Sequence, residues 1–310
     1  MNYLLILAGF IFLVLGGNWL LKAAVGLSLR LNIPKIVIGM TVVSFATSAP
    51  ELIVSVNAAL SGFADISLGN VIGSNIANLG LVLGIVIILS TISVERSFYI
   101  TDWPVMMFAS ILFYLFIKFD GIISRGEGII FVFLLVFFLI YLLKFQKQAV
   151  VEDEDLEIVD MPVYLSIIYL AIGGLGLWAG SELLVKGAVN LANQLGVSER
   201  IIGVTIISVG TSVPELAASI IAIIKKEKAI SLGNLLGSNI FNIFGVIGIT
   251  SIITPIKAVD ERLISYDMVW MLVFALIIFP LVFAPVKMKL SWKEGLILLG
   301  SYVVFIALML

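Results

Sequence analysis

Residues Gly39-Met-Thr-Val-Val-Ser44-Phe-Ala-Thr47-Ser48-Ala-Pro50-Glu51 lead on to Gly69-Asn70-Val-Ile-Gly73-Ser74-Asn75-Ile-Ala-Asn78. The chain then repeats the passage as Gly203-Val-Thr-Ile-Ile-Ser208-Val-Gly-Thr211-Ser212-Val-Pro214-Glu215, leading to Gly233-Asn234-Leu-Leu-Gly237-Ser238-Asn239-Ile-Phe-Asn242. The two copies align without a gap. The same offset, 164 residues, joins Glu51 to Glu215, Asn78 to Asn242 and Lys22 to Lys186. Each copy sets a Pro-Glu pair in an apolar run and follows it with a Gly-Ser-Asn cluster. Duplication for packing alone would not favour polar residues as the best-matched positions, because polar groups are costly in lipid.

The surroundings of these passages are those of a membrane protein. Of the 310 residues 61% are hydrophobic and only 12% charged, against about 25% charged in soluble domains. Apolar runs of membrane-spanning length recur throughout, and strand-like alternation is missing, which excludes a soluble core protein and a β-barrel. The chain contains no cysteine and no histidine, so disulfides, Cys/His metal centres and histidine general bases are excluded. No basic patch points to nucleic acid. The N-terminus is apolar from Tyr3 onward without a basic leader or cleavage site, and reads as a first span.

Ten spans are predicted: 3–28, 35–60, 66–91, 98–118, 127–145, 163–192, 199–224, 229–254, 264–285 and 292–310. Residues 1–145 form a first five-helix repeat around 35–91, and 162–310 a second around 199–254. The acidic stretch 146–161 reads as a solvated tether, with a weak regulatory cation site as the alternative. An odd number of spans per copy places the repeats in opposite topology, an architecture of secondary transporters with sites at the midplane. Arg30, Lys35, Arg96, Lys144, Lys147, Lys225, Lys226, Lys228, Lys287, Lys289 and Lys293 fall on one side. Lys118, Arg125, Arg200, Lys257 and Arg262 fall on the other. The richer side is predicted to be cytoplasmic, with the linker there and both termini outside. The fold class is thus an all-α membrane protein of ten transmembrane helices in two inverted repeats.

Within span 2, Ser44, Thr47, Ser48, Glu51 and Ser55 fall at helical spacing and form one polar stripe. Pro50 lacks the N–H that would bond the carbonyl of Ala46, so the helix is expected to kink or break at the midplane and free that carbonyl. In span 7, Ser208, Thr211, Ser212, Glu215, Ser219 and Pro214 repeat the arrangement and free the carbonyl of Gly210. Ser74 and Asn78, with Ser238 and Asn242, share helix faces in spans 3 and 8. The glycines there suit close helix packing, and the asparagines read either as ion ligands or as interhelical hydrogen-bond pairs. The donors are hard oxygens, suited to Na⁺ or Ca²⁺ and unsuited to zinc or copper. A bare carboxylate at mid-bilayer costs roughly 2.5–3.5 kcal/mol, and two glutamates facing one Ca²⁺ or two Na⁺ restore neutrality.

At these motifs the sequence resembles the calcium/cation antiporter superfamily, and specifically its prokaryotic sodium/calcium exchanger-like branch. Through the ten-span pattern the resemblance covers essentially the whole chain. It implies a core of spans 2–5 and 7–10, with spans 1 and 6 as a long tilted pair that slides across it. It also implies exchange of Na⁺ for Ca²⁺ by alternating access, with these ions and the lipid bilayer as partners. Neither a cofactor nor an enzymatic reaction is implied, and a monomer in the cell membrane is expected. By residue match, Glu51 and Glu215 would hold Ca²⁺ with backbone oxygens of Thr47 and Thr211. Ser48, Ser74 and the Ser44 carbonyl would serve Na⁺ with Glu215. Ser212, Ser238 and the Ser208 carbonyl would serve it with Glu51, while Asn78 and Asn242 flank the centre. Many exchangers carry Asp where this chain has Asn242, which leaves Ca²⁺/H⁺ antiport as the alternative coupling. A cation channel or a two-carboxylate hydrolase fits less well: the glutamates form no ring, and no acid–base division of labour is evident.

Overall fold

The computed structural model describes residues 2–145, 162–194, 208–284 and 286–309. Among the described residues the chain is all-helical apart from four two-residue strands. The helices are α1 (Asn2–Leu31), α2 (Lys35–Leu60), α3 (Ala64–Leu89), α4 (Phe98–Asp120) and α5 (Arg125–Phe145). After them come α6 (Val163–Gln194), α7 (Val213–Ile224), α8 (Lys228–Ile253), α9 (Leu263–Phe283) and α10 (Trp292–Met309). Among the described residues nine helices are long and apolar enough to cross a membrane; α7 is shorter, and the start predicted for its span, 199–207, lies outside the described residues. The predicted acidic tether, 146–161, also lies outside them. The predicted ends otherwise agree with the helices to within a few residues, because a run of apolar residues must be long enough to cross the hydrocarbon and must satisfy its backbone internally.

The chain divides into two compact units. The first holds Met1–Thr47 and Leu139–Asn234. In it α1 and α6 lie antiparallel along a seam of small residues. A Cβ placed on Gly9 would stand 2.8 Å from the Gly180 carbonyl oxygen, and one on Gly16 would stand 2.8 Å from that of Gly173. Gly187 likewise abuts the start of α1 at Asn2. Only glycine admits such backbone approach. Leu20, Leu27, Ile38, Leu177, Ile221 and Ile230 form the hydrophobic core of this unit. At one end the Lys35 ammonium pairs with the Glu227 carboxylate at 3.0 Å.

The second unit holds Ser48–Phe138 and Leu235–Leu310. Here the joints pair reciprocally. Strand β1 (Ile92–Ser93) joins β4 (Lys289–Leu290), and β2 (Ile122–Ile123) joins β3 (Ile256–Lys257), both antiparallel. The Asp65 carboxylate accepts the Val259 and Asp260 N–H groups at 2.8 and 3.1 Å. Capping boxes start α5 and α10: Glu127 accepts from Ser124, and Glu294 from Ser291. Wider π-helical turns recur in matched places, at Asn78–Val82 and Asn242–Ile247, and again at Phe98–Asp102 and Leu263–Asp267.

The two proline-bearing helices differ. The stretch Ser44–Leu60 stays helical through Pro50, after a π turn at Gly39–Val43. In the second copy the helical turn Ser208–Gly210 ends, Thr211 and Ser212 form a turn, and α7 restarts with Pro214 in its first positions. Proline suits that place, since no intrahelical N–H is required there.

Candidate functional site

In the first unit Glu215 is fully buried near the start of α7. Ser212 precedes it, buried, with its hydroxyl unbonded among the described residues. Thr211 is partly exposed, and Ser208 opens the preceding helical turn. The carbonyl of Gly210, freed by Pro214, accepts from the Ser181 hydroxyl of α6 at 2.7 Å. That partner was not anticipated from the sequence. A neutral hydroxyl has satisfied a buried acceptor that would otherwise be costly.

Also in this unit, Ser44 and Thr47 of α2 meet Asn234 of α8. The Ser44 hydroxyl donates to the Gly39 carbonyl at 2.7 Å and lies 3.1 Å from the Asn234 carbonyl. The Thr47 hydroxyl lies 3.2 Å from the Asn234 amide oxygen and 3.4 Å from the Ser44 carbonyl. The Asn234 amide nitrogen donates in turn to Ser219 of α7 at 3.4 Å. The side-chain hydroxyls of Ser44 and Thr47 are therefore engaged within the protein.

In the second unit Glu51 is 2% exposed on α2, beside Ser48, which is fully buried. Asn70 of α3 holds this stretch: its amide nitrogen donates to the Glu51 carbonyl oxygen at 3.3 Å and to the Ser55 hydroxyl at 3.0 Å. The Asn234–Ser219 bond of the first unit is the same contact in the other copy. Ser74, Asn78, Ser238 and Asn242 are all buried. The Asn78 amide nitrogen donates to the Asn239 amide oxygen, and that of Asn242 to the Asn75 amide oxygen, each at 3.2 Å. The amide oxygens of Asn78 and Asn242 have no hydrogen-bond partner among the described residues. The interhelical hydrogen bonds expected of these asparagines are present, made by their nitrogens, while their oxygens accept none among the described residues.

The candidate residues divide between the units. Ser44, Thr47, Ser208, Thr211, Ser212 and Glu215 lie in the first; Ser48, Glu51, Ser74, Asn78, Ser238 and Asn242 lie in the second. Sequence reasoning quoted Asn70, Asn75, Asn234 and Asn239 within the motifs but gave them no role, and it passed over Ser181. For the four asparagines a signal existed, since each recurs at the 164-residue offset. Ser181 has no such signal, because its counterpart is Gly17.

The sodium/calcium exchanger protein family matches residues 1–144 and 165–310 of the chain. The sodium/calcium exchanger MaX1 of Methanosarcina acetivorans is 30% identical, over 99% of this chain and 98% of that protein. The inner membrane protein YrbG of Escherichia coli K12 is 33% identical, over 98% of this chain and 95% of its own length. The solved structure of the sodium-calcium exchanger NCX_Mj superposes with a TM-score of 0.83 at 30% identity, covering 99% of this chain and 98% of that one. A multi-pass integral membrane protein that matches along nearly its entire length is no distant fold-mate of these transporters: the chain belongs to the sodium/calcium exchanger family.

Proposed function

We propose that the protein is a secondary antiporter that moves Ca²⁺ against Na⁺ by alternating access, without a cofactor. Glu51 and Glu215 are its charged ligands, and together they balance one Ca²⁺. Backbone oxygens of Thr47, Thr211, Ser44 and Ser208, hydroxyls of Ser48, Ser74, Ser212 and Ser238, and the amides of Asn78 and Asn242 complete the ligand set for Ca²⁺ and Na⁺. The observation that carries this reading is the pair of repeat-matched glutamates, 2% and 0% exposed, each in a stretch of buried hydroxyls and amides. Buried carboxylates of this kind require a counter-charge. Hard oxygen donors suit Na⁺ and Ca²⁺. The antiparallel seam of the matched helices α1 and α6 supports repeats of opposite topology. The lysine and arginine distribution supports cytoplasmic joints after α1, α3, α5, α7 and α9 and external termini. We place the protein in the cell membrane as a monomer.

The test is ⁴⁵Ca²⁺ uptake into proteoliposomes. Na⁺-loaded vesicles diluted into Na⁺-free medium accumulate Ca²⁺, and vesicles with Na⁺ on both sides do not. Uptake that ignores the Na⁺ gradient and follows an imposed pH gradient would replace Na⁺ by H⁺ as the coupled ion, a role that carboxylates can also fill. Single-channel currents would point to a pore instead.

A further inference from the structure

Where α3 crosses α8 in the second unit, four asparagines form one hydrogen-bonded circuit, closed between Asn75 and Asn239 and open at Asn78 and Asn242. The Asn75 amide nitrogen donates to the Asn239 backbone carbonyl at 3.4 Å, and that of Asn239 donates to the Asn75 carbonyl at 3.3 Å. Each nitrogen also approaches a methionine sulfur, Met271 at 3.8 Å for Asn75 and Met106 at 3.9 Å for Asn239. Their amide oxygens accept from Asn242 and Asn78 respectively. Every contact has its repeat-matched twin.

The circuit has a direction. A backbone carbonyl only accepts, so the side chain facing it must present its nitrogen. That sets the orientation of the Asn75 amide and leaves its oxygen toward Asn242. An amide oxygen only accepts, so Asn242 must present its nitrogen in turn. The Asn242 oxygen is thereby sent the other way, and it is one of the buried oxygens without a donor. The same sequence runs from the Asn75 carbonyl through Asn239 to the oxygen of Asn78. Turning Asn78 or Asn242 over would set oxygen against oxygen inside a buried site, where such a clash is not screened. Leaving two buried amide oxygens without donors costs about 1–3 kcal/mol each, and a network built only for packing would not incur that cost twice in matched places.

We propose that Asn75 and Asn239 are positioning residues that hold the amides of Asn242 and Asn78 with their oxygens toward the transported cation. The inference rests on the proposed cation exchange. Each positioning residue acts on the asparagine of the other repeat. Its own-repeat neighbour three positions on, Asn78 for Asn75 and Asn242 for Asn239, answers to the other one.

That crossed pattern gives the test. Apparent Ca²⁺ affinity is read from Ca²⁺-dependent thermal stabilisation of the purified full-length protein in detergent, each variant referred to its own ion-free melting. Asn239→Ala, Asn78→Ala, Asn75→Ala and Asn242→Ala each weaken apparent affinity by about fivefold or more. The doubles Asn239→Ala/Asn78→Ala and Asn75→Ala/Asn242→Ala are no weaker than the worse of their singles. The same-repeat doubles Asn75→Ala/Asn78→Ala and Asn239→Ala/Asn242→Ala show the product of the two losses. Serine replaces alanine in the same cycles wherever an alanine variant does not fold. Product behaviour in the crossed pairs, or singles that lower ion-free melting while leaving affinity unchanged, would overturn the positioning role. Absence of any Ca²⁺ stabilisation in the wild-type protein would overturn the proposed exchange and this inference with it.

Discussion

At the scale of single residues, the proposed exchange rests on two buried carboxylates, Glu51 and Glu215, and the groups that make their burial tolerable. Glu51→Gln and Glu215→Gln each remove half of the charge that would balance a divalent ion. Ca²⁺ exchange in either variant falls by about thirtyfold or more, equivalent to ~2 kcal/mol, while the protein remains folded in detergent. Exchange near the wild-type rate in Glu51→Gln would dismiss the paired-carboxylate reading. Both glutamates were legible in the sequence because an ionisable residue in an apolar run is rare and both recur at one offset. The orientation of the asparagine amides was not, because it depends on which backbone carbonyl lies across the α3–α8 crossing. The Ser181–Gly210 bond was hidden for the same reason: the proline announces a freed carbonyl but not what comes to meet it.

At the scale of elements, nearly every helix was readable from apolar run length, and the short joints from their Lys, Arg, Asp and Glu residues. The unequal treatment of the two prolines was not. Ala46 and Gly210 stand at matched positions, and the glycine concedes a backbone break that the alanine resists. The α1–α6 seam carries a sharper consequence. A Cβ on Gly16 would lie 2.7 Å from the Leu177 nitrogen, whereas one on Gly300 of α10 meets nothing within 4 Å. Gly16→Leu therefore lowers the ion-free thermal stability of the purified protein by about 1–3 kcal/mol, and Gly300→Leu leaves it nearly unchanged. Equal melting of the two variants would show that the seam is not closely packed in solution.

At the scale of the whole molecule, the arrangement of joints bears on topology. In the second unit the joints after α3 and α9 meet through β1 and β4, and those after α4 and α8 through β2 and β3. This is the alternation that the charge distribution anticipates. If both termini are external, as proposed, a reporter fused after Leu310 registers the external face, and a cytoplasmic signal there would reverse the assignment. The pairing of Asn75 with Asn239 has a meaning of another kind. These are the same residue in two copies, and in an oligomer such a contact would be called isologous, the self-complementary kind that a dimer makes about its twofold axis. On the proposed opposite topology of the repeats, the molecule would keep, within one chain, an interface that two separate half-length proteins inserted in opposite senses would make. Covalent joining frees such halves to diverge away from the axis while the axis itself stays matched. Ser181 opposite Gly210 in one copy, where the other has Gly17 and Ala46, is a place where that divergence is already written.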